Sequence, residues 1–187
     1  MFTPKNILWG LLIAASVSST ALAQSPSRFG FGTKVEATEL AKYFSIPADG
    51  AGLPQGSGNA TAGAKVYADT CALCHGDKGQ GNPAKGIGGD RLLGGRGSLA
   101  TATPIKTVES YWPYATTLFD YVKRAMPFSA PGSLNDNDTY AVVAYILSEA
   151  KIIKPTDTMN AQTLPKVAMP NKDGFVPDPR PELDLYR

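Results

Sequence analysis

The spacing of apolar and polar residues along the chain predicts helices and no strands. Helical spacing occurs in three stretches: Asn59 to Cys71, Thr116 to Ala125, and a third that begins after Asn135. Thr61 can cap the first helix, and Asn135 is a favourable N-cap for the third. The apolar stripe of the third helix consists of Tyr140, Val143, Ala144 and Leu147. The pattern therefore predicts an all-α fold with much irregular loop.

The two ends of the chain differ from this helical middle in composition. The 15 prolines and 19 glycines make loops plentiful, and residues 24–57 and 154–187 are read as arms, although Val35 to Phe44 could form a short helix. The predicted organisation is a signal peptide (1–23), an N-terminal arm (24–57), a helical domain (58–153) and a proline-rich C-terminal arm (154–187). Neither arm is expected to contribute to the core, which places Met159 and Met169 at the surface.

The first 23 residues have the layout of a secretory signal peptide. Lys5 supplies a positive charge, Ile7 to Val17 is an apolar run, and Ala21-Leu22-Ala23 places cleavage before Gln24. The alternative is an uncleaved membrane anchor, but a spanning helix needs about 20 apolar residues and this run ends at Ser18. We therefore expect an exported, periplasmic protein with no membrane span after cleavage.

The net charge of the chain argues against one class of function, the binding of nucleic acid. Lys and Arg number 18 against 16 Asp and Glu, a formal net charge of +2. Binding to nucleic acid would need a basic stripe that the sequence lacks. The charged fraction of 18% and the hydrophobic fraction of 43% are typical of a globular protein.

Both cysteines and the single histidine of the chain fall within five consecutive residues, Cys71-Ala72-Leu73-Cys74-His75. At this spacing, the thiols of Cys71 and Cys74 can each form a thioether with one vinyl group of haem, and His75 then becomes the proximal ligand of the iron. The motif therefore predicts one covalently attached haem c.

Other chemistries fit this motif less well. A structural zinc site needs four protein ligands, and no second pair of Cys or His exists. A thioredoxin-like redox pair would follow a strand, whereas a helical pattern precedes this one. A plain disulfide is possible in an oxidising compartment but leaves the adjacent His75 unexplained.

The second axial ligand is predicted to be Met126, because His75 is the only histidine. Pro127 restrains Met126 to an extended conformation, which suits a loop that presents a thioether. The alternatives are Met159 and Met169 in the C-terminal arm. Two protein ligands leave no open position at the iron, and a thioether raises the reduction potential. The predicted function is therefore electron transfer, with no catalytic residues in the chain itself.

The chain resembles the class I cytochromes c. The resemblance rests on Gly63–Tyr67, the motif Cys71–Gly76, Met126-Pro127 and Ala144-Tyr145. It implies three main helices around one haem, with the first and last helices crossing where Gly63 meets Tyr145.

A narrower resemblance is to the cytochrome subunit of Sox-type sulfur (sulfane/sulfite) dehydrogenases. It is carried by Arg28–Gly32, Asp49–Pro54, Ser110–Tyr121 and Asn171–Pro181. It implies a partner subunit with a molybdenum cofactor, and a downstream cytochrome or oxidase as acceptor. The larger Sox subunits carry a second haem domain, whereas this chain has one haem motif.

Two alternatives stay open at this point. The first is a free-standing periplasmic shuttle that feeds a terminal oxidase or another dehydrogenase's cytochrome subunit. The second is an enzyme that acts on thiosulfate or peroxide at the haem iron, which would require an open or unusual sixth ligand.

Overall fold

A computed structural model describes residues 32–36, 39, 45–82 and 88–182. The chain divides into two compact units, residues 1–42 and 43–187. In the first unit, the amide of Glu39 donates to the carbonyl of Glu36 at 3.0 Å. The predicted signal peptide and most of the possible helix at 35–44 lie outside the described residues. The second unit contains residues 45–82 and 88–182 of the described ranges.

The described elements of this unit are mainly helical. Their order is β1 (Ser57–Asn59), α1 (Ala60–Thr70), α2 (Ala72–His75), α3 (Ala115–Ala125), α4 (Asp136–Glu149), β2 (Thr158–Asn160) and a 3-10 turn (Leu164–Lys166). Strands β1 and β2 pair antiparallel, with Gly58 opposite Met159. The predicted all-α fold is confirmed, with this short two-stranded ladder as an addition.

Helices α1 and α4 cross in direct backbone contact. A Cβ added at Gly63 would lie 1.8 Å from the carbonyl oxygen of Ala141 and 2.9 Å from Cβ of Tyr145. The predicted meeting of Gly63 and Tyr145 is therefore confirmed. The N-cap of α1 is Asn59, whose side chain accepts from the amide of Ala62 at 3.0 Å, and not Thr61. Asn59 takes this role because it is extended and lies one residue before the helix begins.

Helix α4 forms the centre of the core. As predicted, Asn135 caps it, accepting from the amide of Asp138 at 2.9 Å. The side chains of its predicted stripe are fully buried: Tyr140, Val143, Ala144 and Leu147. Phe119 from α3 packs on Tyr140 with ring centroids 4.4 Å apart. This contact joins α3, the helix that precedes Met126, to the centre of the fold.

The expectation that the C-terminal arm stays outside the core is wrong. Met159 and Met169 are 4% exposed and Leu164 is fully buried, all three within the main hydrophobic cluster. Strand β2 brings Met159 against the core by pairing with β1, and the 3-10 turn contacts α3. Apolar side chains in this segment are buried because the chain folds back here, although it forms no long regular element.

The N-terminal arm also contributes, from residue 46 onward. The amide of Ile46 donates to Asp120 at 2.8 Å, and the hydroxyl of Thr116 donates to the carbonyl of Ala48 at 3.1 Å. Further along, the hydroxyl of Tyr140 donates to the carbonyl of Pro54 at 2.9 Å. Residues 46–54 are therefore fastened to α3 and α4, which corrects the expectation that this arm is separate from the core.

Candidate functional site: the Cys71–His75 turn and its surroundings

The three predicted cofactor-binding side chains of the motif lie on one short turn. Helix α1 ends as the amide of Cys71 donates to the carbonyl of Tyr67 at 2.9 Å. The amides of Cys74 and His75 then both donate to the carbonyl of Cys71, at 3.1 and 2.9 Å. Gly76 ends α2 with a φ of +80°, a conformation that side chains disfavour. The turn thus brings Cys71, Cys74 and His75 together.

The two thiols are partly buried and are not joined in a disulfide. Cys71 packs against the hydrophobic core, and burial raises the pKa of its thiol. Burial therefore favours the protonated form of this thiol. Leu73, between the two cysteines, is 61% exposed and points its apolar side chain to solvent.

The imidazole of His75 is oriented by a backbone group. Its Nδ1 lies 2.6 Å from the carbonyl oxygen of Asp90. Because a carbonyl only accepts, Nδ1 carries the proton and donates, and in the neutral ring the lone pair is then on Nε2. An imidazole held by its second nitrogen in this way is the usual arrangement of a metal-ligating histidine. The sequence analysis missed Asp90, because a carbonyl is present at every position and leaves no residue-type signal.

The loop that carries the Asp90 carbonyl is fixed against the motif. A Cβ at Gly89 would lie 2.3 Å from the carbonyl oxygen of Cys74, so only glycine allows this close approach. The amides of Leu92 and Leu93 both donate to the carbonyl of Gly79, at 2.8 and 3.1 Å. These contacts hold the Asp90 carbonyl next to His75. The glycine just before Asp90 is the feature of the sequence that could have indicated this close approach.

Tyr67 supports the same turn from α1. Its buried hydroxyl donates to the carbonyl of Gly76 at 2.8 Å. Burial raises the pKa of Tyr67, so the hydroxyl keeps the proton that this hydrogen bond requires. The end of the motif is thereby tied to the helix that precedes it.

Met126 lies directly after α3. It is extended, with φ −120° and ψ 152°, and its amide donates to the carbonyl of Val122 at 3.1 Å. The predicted extended conformation before Pro127 is confirmed. The side chain is partly buried and packs against the same hydrophobic cluster as Cys71. Of the three methionines considered as ligands, Met126 is in a loop, whereas Met159 and Met169 are in the core.

This set of donors fits haem c. Haem c attachment needs two cysteine sulfurs three positions apart, and an adjoining imidazole with a free lone pair. Cys71, Cys74 and His75 have this spacing, and the Nδ1 hydrogen bond leaves the lone pair of the neutral imidazole on Nε2. Met126 offers a thioether, a second axial donor of the right type.

Comparison with known proteins agrees with this chemistry. Residues 58–146 match the family model described as cytochrome C oxidase, cbb3-type, subunit III. The chain is 34% identical over 98 residues to a thiosulfate dehydrogenase from Stutzerimonas stutzeri (strain A1501). That alignment covers 52% of this chain and 30% of the relative, so the chain spans less than a third of the relative's length.

The structural comparison extends over more of the chain. The crystal structure of the sulfane dehydrogenase SoxCD from Paracoccus pantotrophus matches with a TM-score of 0.71 and 36% sequence identity. The match covers 85% of this chain and 78% of the other. Within the described ranges, no helix has the length and apolar character needed to cross a membrane.

Proposed function

Because this chain belongs to the c-type cytochromes, has their class I fold and is related to the Sox cytochrome subunit, we propose that it is the haem subunit of a sulfur-oxidising dehydrogenase. It is exported by the signal peptide at 1–23 and acts in the periplasm. It carries electrons one at a time and is not itself catalytic. The observation that supports this most is the 36% identity to the SoxCD structure across 78% of that chain.

Four side chains hold the single haem c in this proposal. Cys71 and Cys74 would form the thioethers, and His75 and Met126 would bind the iron. When bound, haem c supplies a one-electron iron couple. The chain's own contribution is to supply both iron ligands and to orient His75 through the Asp90 carbonyl, 2.6 Å from Nδ1.

Replacing Met126 by alanine tests the ligand assignment. In the oxidised protein, we expect complete loss of the thioether-to-iron absorption at the red end of the visible spectrum. We also expect a lower reduction potential, because a thioether ligand raises it. The matched control is Met169→Leu, a volume-conserving change in the core that should leave both readouts as in the parent. A parent protein without this absorption would contradict the assignment.

The proposed electron donor is a subunit with a molybdenum cofactor, and the acceptor is a downstream cytochrome or oxidase. Residues 172–182 are exposed and include Phe175 and Val176, which are 49% and 85% exposed. Apolar side chains on an exposed arm suit contact with a second subunit.

Purification from the native source tests this partnership. We expect co-purification with a molybdenum subunit, and reduction of the haem by sulfite or thiosulfate only when that subunit is present. The control is the isolated chain with the same reductants. If gel filtration gives a lone monomer, the chain is a free-standing shuttle and not a fixed subunit.

The likeness to a thiosulfate dehydrogenase favours a second candidate function, in which the haem site itself oxidises a sulfur compound. That function requires a sixth position that is open or easily vacated. Rapid haem reduction when thiosulfate is added to the isolated chain would favour this candidate over electron transfer alone.

A further inference from the structure

The loop that presents Met126 has few contacts of its own. Residues 128–133 are all exposed, and Phe128 is 86% exposed. Among the described residues, the hydrogen bonds of 127–133 stay within the loop, from Ala130 to Pro127 at 2.9 Å and from Ser133 to Ala130 at 3.2 Å. A loop of this kind opens locally at low free-energy cost unless its two ends are held together.

Lys123 joins the two ends of this loop. It lies in the last turn of α3, three residues before Met126, and its Nζ donates to the carbonyl of Leu134 at 2.6 Å. The same Nζ lies 2.8 Å from a carboxylate oxygen of Asp136, the first residue of α4. Leu134 is itself buried in the core. One ammonium group therefore fastens the end of α3 to the start of α4, across the loop.

The neighbouring cation, Arg124, does not join the two ends of the loop as Lys123 does. Arg124 is also in the last turn of α3, where a positive charge favours the helix dipole. It pairs backward with Asp120 on its own helix. Lys123 instead reaches forward, and its side chain is only 32% exposed. Charge-assisted hydrogen bonds to two acceptors from a partly desolvated ammonium are stronger than those of an exposed pair.

We propose that Lys123 is a positioning residue for the axial methionine: it closes the loop 126–134 and so keeps the thioether of Met126 in place. The inference rests on the proposed role of Met126 as ligand. Opening of the loop would free the sixth position for an external ligand. The apparent affinity of an external ligand for the iron therefore reports the fraction of molecules in which the loop is open, because only those molecules can bind it.

The test is Lys123→Gln in the haem-loaded, full-length protein, with imidazole as the external ligand. We expect imidazole to bind the oxidised protein about tenfold more tightly, the factor that corresponds to loss of one charge-assisted hydrogen bond. Amide hydrogen exchange in 126–134 should become faster, while exchange within α4 stays unchanged. The matched control is Lys65→Gln, which removes an exposed lysine that lies 2.7 Å from Asp69 on α1.

Each outcome separates this inference from the proposed ligand. Equal imidazole affinity and equal loop exchange in the two variants would overturn the role of Lys123. So would exchange that rises equally in the loop and in α4, because Lys123 would then stabilise only the whole fold. A parent protein without thioether absorption would refute Met126 as ligand, and loop exchange alone would then decide whether Lys123 closes the loop.

Discussion

Truncation of the chain after Asp157 is expected to lower the free energy of unfolding by about 5–9 kcal/mol. It removes three buried side chains, Met159, Leu164 and Met169, and burial of such side chains contributes about 1.5–3 kcal/mol each. It also removes strand β2, the pairing partner of β1. Because a domain of this size has a total stability of about 5–15 kcal/mol, the truncated protein should show little or no cooperative unfolding in urea.

Truncation after Val176 is the matched control. It removes residues 177–187, of which the described ones, 177–182, are all exposed. It leaves Met169 and the contact between the rings of Tyr111 and Phe175 in place. We expect a urea midpoint close to that of the full chain. Equal midpoints for the two truncations would mean that the segment 158–169 does not belong to the core.

The N-terminal and C-terminal segments both contact α3, and through this helix they influence the candidate site. The N-terminal segment is hydrogen-bonded to α3 at Asp120 and Thr116, and the 3-10 turn around Leu164 contacts the same helix. Helix α3 ends at the residue before Met126. The parts of the chain outside the three longer helices therefore help to fix the helix that presents the proposed axial ligand.

The helices were predictable because their signals are local. Asn135 and the apolar stripe of α4 lie within 13 residues of one another, and the structure confirms both. The burial of Met159 was not predictable in this way. It depends on pairing with Gly58, about a hundred positions earlier, and a proline-rich segment with single buried residues has no periodicity to indicate it.

The candidate site likewise has a part that could be predicted from the sequence and a part that could not. Cys71, Cys74 and His75 lie within five consecutive residues, so their chemistry is visible in the sequence alone. The carbonyl of Asp90 could not be found there, because its role depends on where the loop folds and not on its side chain. In the sequence, Lys123 is only a cation in the last turn of a predicted helix, a common position that indicates no particular partner. Its reach across the loop to Leu134 became visible only in three dimensions.

Replacing Gly63 by valine is expected to prevent formation of the haem-loaded protein. A Cβ at this position would lie 1.8 Å from the carbonyl oxygen of Ala141 and 2.4 Å from its carbonyl carbon. These are backbone atoms of α4, so the clash is relieved only if α1 moves away from α4. That movement would separate Tyr67 from Tyr145, whose ring centroids are 4.9 Å apart, and would displace Cys71 at the end of α1. The expected loss of stability exceeds about 4 kcal/mol, in the range of the most damaging single substitutions.

The measurement is the yield of haem-loaded protein from a host that attaches haem, together with the urea midpoint of whatever is recovered. Ala64→Val is the matched control, because it places the same side chain on an exposed position of the same helix. It should cost no more than about 0.7 kcal/mol, through helix propensity alone. If Gly63→Val is recovered with haem at the yield and midpoint of the Ala64 variant, the two helices do not cross at Gly63. In that case the packing of α1 against α4 would have to be different.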